Sequence, residues 1–219
     1  MAKQKTITSN NIITFYMDYV LEHNKRPKTV YAFAKKHKFE EQKFYAFFGS
    51  FEALEQHIFK AFFDNTLKAL SANEDYTAFN SRNKLLSFYF TFFENLTANR
   101  SYVIYALNQH KNKLKNYVVL KDLKSHFTHY ISELGIELIE TKQEQIDKLQ
   151  QKSLKESAWM QLLLTIKFWM DDTSPSFEKT DIFIEKSVNT SFDVLDIAPI
   201  KSLIDFGKFI YKEKFQMNS

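Results

Sequence analysis

The sequence has no cysteine, and only three glycines and three prolines among its 219 residues. Without cysteine there is neither a disulfide framework nor a thiolate metal site, which fits a reducing compartment. The scarcity of the two strongest turn formers argues against a fold of many short strands and points to long helices with few connections. Long apolar runs are also missing: the most apolar stretches, such as Trp159–Met170, fall short of the ~20 residues that span a bilayer. The lysines near the start, at 3 and 5, are followed by no apolar run or cleavage site, so no secretory leader is expected. The chain is expected to be soluble and cytoplasmic. No Gly-rich phosphate loop and no nucleophile elbow occurs, so neither an enzyme nor a cofactor is expected.

Aromatic residues are plentiful: 23 Phe and 11 Tyr within a hydrophobic content of 44%, enough for a large core. Charge is unevenly spread. Residues 1–50 hold nine Lys/Arg against four Asp/Glu, and residues 51–219 hold 21 against 22. The basic excess therefore lies in the N-terminal fifth, either as a nucleic-acid footprint or as a solvated basic surface.

Helical periodicity dominates, and the fold class read from it is all-α. Ile12, Ile13, Tyr16, Met17, Val20 and Leu21 recur at helical spacing over 10–23, with Ser9 or Asn10 as N-cap and Asn24 as a left-handed C-cap. Thr29 caps a second helix with Val30, Phe33 and Ala34 inside; Lys36–Lys38 makes a turn above Phe39. Glu40 to Phe47 forms a third helix with Phe44, Phe47 and Phe48 on its packing side. Ser50 caps a fourth helix to about Ala72, burying Leu54, Ile58, Ala61 and Phe62. Further helices are expected at about 78–98, 101–114, 117–140, 144–171, from Ser174 or Ser176 to about Leu195, and from Ala198-Pro199 to about Lys214. Tyr117–Leu120 is β-branched, but it is short and flanked by helical patterns.

Two short helices around a tight turn, then a long amphipathic helix, is the layout of a DNA-reading helix-turn-helix. Such a reader needs a short helix for the major groove, a bracing helix, and donors for phosphates. Thr29 offers a hydroxyl and free N–H groups at a helix N-terminus. Lys28, Lys35, Lys36 and Lys38 supply charge around the turn. Gln42 and Lys43 project away from the Phe44 face toward base edges, and Tyr45 offers a phenolic hydroxyl. The segment resembles the N-terminal domain of the TetR family of bacterial repressors. Asn24 stands at that family's first glycine, Thr29 at its cap, Ala34 at its close-packing alanine and Phe39 at its valine. Phe44-Tyr45-Ala46-Phe47-Phe48-Gly49-Ser50-Phe51-Glu52-Ala53-Leu54 covers its Leu-Tyr-x-His/Tyr-Phe-x-Ser-Lys-Glu-x-Leu motif. The resemblance implies a helix-turn-helix DNA-binding domain at 1–50 and a helical effector-binding and dimerisation domain at 51–219. It further implies a homodimer on a palindromic double-stranded operator, joined through the helices at 144–171 and 176–195. Three positions depart from the pattern: Lys38 replaces the turn glycine, Phe51 the phosphate-contacting lysine, and Glu40 with Glu41 opens the reading helix. A working DNA-binding domain and a retained fold without that activity both remain open.

Beyond residue 50, Leu85, Phe88, Tyr89, Phe92, Phe93 and Leu96 repeat on one helix, and Trp159, Leu162, Leu163, Ile166 and Met170 on another. Each is explained by core packing; as a group they suit an apolar or lipid-like small-molecule effector. Phe88, Phe92, Trp159, Leu163 and Ile166 are the ligand-binding candidates, with release of a repressor by that effector as the expected function. Asp172 to Val188 is similar to a C-terminal segment of the COQ9 family, D-x-S-P-x-F-E-x-T followed by a helix. That resemblance implies a TetR-like architecture and offers an alternative, a lipid-binding accessory protein that no longer touches DNA. His126 and His129 lie one helical turn apart without a third ligand, so no metal site is expected. Glu137/Glu140 and Asp171/Asp172 read as solvated helix ends, and the lysines at 111, 113, 115, 121 and 124 as a solvated face.

Overall fold

Local capping sets the boundaries of the N-terminal helices. In this computed structural model, which describes residues 6–109, 116–138, 144–196, 206, 207 and 209, helix α1 covers Ser9–His23. Its cap is Thr8, one residue earlier than Ser9. The Thr8 hydroxyl accepts from the Asn11 N–H at 3.2 Å, and the Asn11 side chain accepts from the Thr8 N–H at 3.1 Å, a reciprocal capping box. Asn24 closes the helix at φ 49°, as its tolerance of the left-handed region predicts. Helix α2 covers Val30–Lys36, and Thr29 Oγ1 accepts from the Ala32 N–H at 3.1 Å. Helix α3 covers Glu41–Tyr45 and α4 covers Phe51–Ser71, where Ser50 Oγ accepts from the Ala53 N–H at 3.2 Å.

Five more α-helices follow the expected order with shifted ends: α5 at Ser81–Ala98, α6 at Arg100–Leu107, α7 at Lys121–Glu133, α8 at Glu144–Asp171 and α9 at Glu178–Asp196, with 3-10 turns at Glu74–Ala78, at Tyr117–Leu120 ahead of α7 and at Pro175–Phe177 ahead of α9. The described residues thus form nine α-helices and no strand. The single helix expected over 117–140 is divided, because Tyr117–Leu120 coils more tightly and Gly135, at φ 66°, ends α7. The helix expected over 198–214 lies outside the described residues except 206, 207 and 209, which are helical; Glu140 and the lysines at 111, 113 and 115 also lie outside them.

The chain separates into two compact units, Met1–Thr66 with Phe92–Ser125, and Leu67–Thr91 with His126–Ser219. The first has an aromatic centre. Phe33 meets Tyr16, Phe44 and Phe51 edge-on, at ring-centroid separations of 6.2, 6.3 and 5.7 Å, the arrangement ring quadrupoles favour. Tyr16, Phe33, Phe44, Leu54 and Ile58 are fully enclosed. Phe47 is not: α3 stops at Tyr45, so Phe47 leaves the helical face expected for it and is 46% exposed, while Phe48 turns inward. Ala61 is half-buried, the neighbouring inner positions being taken by Phe59, Phe62 and Phe63. The second unit is centred on Phe88, which lies 5.4 Å from Phe127 and 5.0 Å from Tyr130, with Trp159 6.4 Å from Phe127 on its other side.

The α8–α9 connection departs from expectation in one respect. Asp172, expected to be solvated, is buried and accepts from the backbone N–H groups of Ser174 and Thr180 at 2.8 and 2.9 Å and from both hydroxyls at 2.7 Å. Burial opposes ionisation of that carboxyl, but these four hydrogen bonds outweigh it and hold Asp172 far below the usual carboxylate range. Ser174 Oγ accepts from the Lys179 N–H at 3.2 Å, whereas Ser176 sits at φ 53° and is not the cap. The D-x-S-P-x-F-E-x-T pattern is therefore a self-contained helix start, with Phe177 lying 6.2 Å from Trp169.

Candidate functional site

The turn between α2 and α3 is a complete Schellman motif. Lys38, at φ 57°, donates its N–H to the Lys35 carbonyl at 3.3 Å, and Phe39 donates to the Ala34 carbonyl at 3.0 Å. The left-handed geometry that a glycine adopts freely is thus retained by a lysine, at about 1 kcal/mol. The geometry leaves Lys38 exposed at the apex. Phe39 is half-buried and contacts Phe15 and Phe33 at 6.3 and 5.8 Å.

All seven polar residues singled out in the sequence, Lys28, Thr29, Lys35, Lys38, Gln42, Lys43 and Tyr45, are exposed, and they lie on α2, α3 and their flanks, two helices packed on each other. Two aromatic side chains share this region: Tyr31, which sequence reasoning passed over, is 59% exposed with the Lys35 ammonium 5.9 Å from its ring, and Phe47, expected in the core, stands beyond α3. Lys36 is committed elsewhere, to Glu22 at 3.4 Å and to the face of Tyr19 at 4.6 Å. Glu40 precedes α3 without a side-chain cap, and Phe51, at the position of a family lysine, is half-buried against Phe33, Phe44 and Tyr16. Phe51 therefore serves the core.

Behind this surface lies a charged cluster not foreseen from the sequence. Glu55 of α4 is only 4% exposed. Its carboxylate accepts from the Tyr16 hydroxyl, from Arg26 Nε at 2.8 Å and from Arg26 Nη2, while Arg26 Nη1 donates to Glu52. Burial, and next the adjacent Glu55 charge, push the Tyr16 phenol far above its ordinary value, so it remains a donor at any physiological pH. Burial works against the Arg26 charge, but its bonds to Glu55 outweigh that and hold its proton more firmly still. Tyr102 of α6, 1% exposed, has no hydrogen-bond partner for its hydroxyl among the described residues; burial first and the Glu55 charge second raise its pKa. The sequence held a trace of this cluster in Glu52 and Glu55, three residues apart on one helical face, and in an arginine directly before Pro27.

The ligand-binding candidates divide. Phe88 and Trp159 both contact Phe127, Ile166 is buried, Leu163 is half-buried, and Phe92 belongs to the other compact unit, beside Phe93 at 5.9 Å. A groove of about 510 Å³ lies elsewhere, between α8 and α9, where Phe168, Ile182, Phe183 and Thr190 meet Lys179 and Lys186. None of the five candidates lines it. Along α8, Met160, Leu164 and Phe168 recur every fourth residue and are all exposed, at 55%, 57% and 36%.

A family model described as "Tetracyclin repressor-like, C-terminal domain" matches residues 84–210. That match covers more than half of the chain. The chain belongs to the TetR family. The match begins inside α5 and so lies wholly beyond the helix-turn-helix, whose fold is seen directly in α1–α4. No curated protein matches the chain. TetR-type regulators are generally non-enzymatic. Among the described residues, no group of three His, Cys, Asp or Glu side chains could hold a metal ion, and no helix is long and apolar enough to cross a membrane. His129 pairs with Glu133 at 3.1 Å.

Proposed function

We propose that this TetR family member is a DNA-binding transcriptional regulator, acting as a homodimer and as a repressor released by an apolar small molecule. Residues 1–50 form the reading head and residues 51–219 the effector-binding and dimerisation domain. Two copies of α3 enter successive major grooves of a palindromic operator, Gln42 and Lys43 reach base edges, and Lys28, Thr29, Lys35, Lys38 and Tyr45 hold phosphates. The observation that carries the reading is the α2–α3 element. It pairs a rigid aromatic frame with an outer surface on which every one of these seven polar side chains is exposed. The acidic Glu40 and Glu41 complement the positive end of α3, and one of them can accept from a cytosine amino group.

Dimerisation draws its support from α8 and α9. Of the six large apolar side chains exposed on this helix pair among the described residues, Met160, Leu164, Phe168 and Ile182 form the kind of surface that soluble proteins bury against a partner. A two-fold symmetric contact would cover the same patch on both copies. The effector reading rests on the aromatic interior around Phe88, Phe127 and Trp159, where an apolar ligand would separate rings now in contact. A difference of ~1–3 kcal/mol in its affinity for two head spacings is enough for release. The lipid-accessory alternative drew on residues 172–188. The hydrogen bonds of Asp172 account for that pattern as a helix start, which favours the regulator.

The test is binding to a duplex carrying the DNA upstream of the chain's own coding sequence. At low salt the protein retards that duplex and an unrelated duplex competes poorly. Absence of any shift at low salt would falsify the regulator reading, and a lipid seen in native mass spectra of such a preparation would then favour the accessory role.

A further inference from the structure

We propose that Arg26 is a positioning residue: through Glu55 it fixes the α1–α2 loop, and so the phosphate-holding residues Lys28 and Thr29, relative to α3. The inference rests on the reading of the head as a DNA binder. Every nitrogen of the Arg26 guanidinium is used, Nε and Nη2 on Glu55 and Nη1 on Glu52. Glu55 takes its third hydrogen bond from Tyr16 of α1. One carboxylate therefore ties together α1, the loop and α4. The loop is further restricted on both sides of Arg26, by the left-handed Asn24 and by the buried Pro27 with its fixed φ. Lys28 follows at once, and Thr29 opens α2.

A buried carboxylate is a poor choice for stability alone. Desolvation offsets most of what an ion pair gains, and apolar side chains of similar volume often hold such a site as well or better. They cannot, however, fix the rotation of a loop, whereas a planar two-nitrogen fork does. Phosphate contacts held in place before binding set the register of α3 in the groove, which sequence-specific binding needs and loose electrostatic binding to an unrelated duplex does not. The Arg26 side chain is only one-third exposed, and all three of its guanidinium nitrogens are already committed. It acts on DNA through Lys28 and Thr29, with no contact of its own.

The experiment replaces the pair together, Arg26→Met with Glu55→Leu, which leaves net charge unchanged. The probe is a duplex recovered from a random-sequence pool by the unaltered chain, and the unrelated duplex is the reference. In a Tyr16→Phe background, which leaves no buried hydroxyl without an acceptor, the thermal midpoint of the double variant should equal or exceed that of the unaltered chain. Its affinity for the selected duplex should fall by about tenfold or more, while binding to the unrelated duplex at low salt changes by less than about twofold. Equal loss on both duplexes, or no loss on either, overturns the proposal. Should the double variant fail to fold, Arg26→Lys keeps the charge without the fork; it should lose about tenfold on the selected duplex at an unchanged thermal midpoint. A lysine variant that binds like the unaltered chain overturns the proposal. If the unaltered chain recovers no duplex, the DNA-binding reading itself fails, an outcome visible before any variant is made.

Discussion

The helix-turn-helix head and the α8–α9 pair place polar and apolar side chains in opposite positions. The head has a carboxylate inside, Glu55 with Tyr16 and Arg26, and lysines outside. The pair is apolar inside, with Trp159, Leu162, Ile166, Trp169, Ile184 and Val188, and apolar again outside, with Met160, Leu164, Phe168 and Ile182. The two arrangements suit different kinds of partner. A hydrated basic face over a fixed polar interior suits a highly charged partner that must be met at set distances. An apolar face over an apolar interior suits a protein surface of the same kind, where area and fit decide.

The largest effect that would break this contrast is at the pair. Leu164→Glu with Phe168→Glu should weaken self-association at least about a hundredfold, since each apolar side chain contributes ~1.5–3 kcal/mol on burial and both copies carry the change. Sedimentation equilibrium measures it, and an unchanged dimer would remove α8 from the interface. In the head, Glu55→Ala should lower unfolding free energy by about 3 kcal/mol, because Arg26 and Tyr16 lose their common acceptor; urea denaturation reports the loss. Asp172→Asn tests the same kind of group at the other end of the chain. It should cost about 2 kcal/mol at neutral pH, as charge-assisted bonds to Ser174 and Thr180 weaken. Because the Asp172 carboxyl is depressed in the folded chain, its contribution is present above the ordinary carboxylate range and is lost as pH falls through and below it. The variant should therefore narrow its gap to the unaltered chain in acid.

Lys38→Gly separates stability from binding. Relief of the left-handed lysine should raise unfolding free energy by about 1 kcal/mol, while loss of its charge should weaken duplex binding. The smallest effect is the response to pH near neutrality. Burial first, then Lys36, lowers the His37 pKa, and burial with Lys60 lowers that of His57, with nearby carboxylates only partly offsetting. Unfolded histidines take up a proton near their ordinary value of about 6.5, and these two do so only at lower pH. Their contribution is thus complete above that value and declines as pH falls from it through the folded pKa values. Urea midpoints taken on either side of it should show the decline, and His37→Gln with His57→Gln should flatten it.

What the sequence disclosed follows from how local each signal was. Thr29, Asn24 and Ser50 announce helix ends through their own side chains or their tolerance of left-handed φ, and each is found at such an end. Helix α8 was legible because no glycine or proline interrupts 144–171 and its second half is rich in apolar residues from Trp159 to Met170. Its outer face was not, since apolar residues on both sides leave periodicity with no direction to report. Phe47 was misplaced because α3 is one turn shorter than the apolar pattern suggests. Glu55 stayed hidden for a different reason. A glutamate near the start of an amphipathic helix reads as solvated, and only an arginine 29 positions earlier makes its burial tolerable. At the candidate site, side-chain type pointed to the surface; the loop geometry that holds that surface depends on contacts distant in sequence.

Binding of duplex DNA by the basic head would show itself most clearly in its salt dependence. Four lysines, Lys28, Lys35, Lys38 and Lys43, face solvent on α2, α3 and their flanks. A dimer engaging a phosphate with each should show a slope of log affinity against log salt of about −7. Lys38→Gln with Lys43→Gln should reduce that slope by about half. A flat salt response, or a slope unaltered by removing these two charges, would rule out duplex binding through this surface.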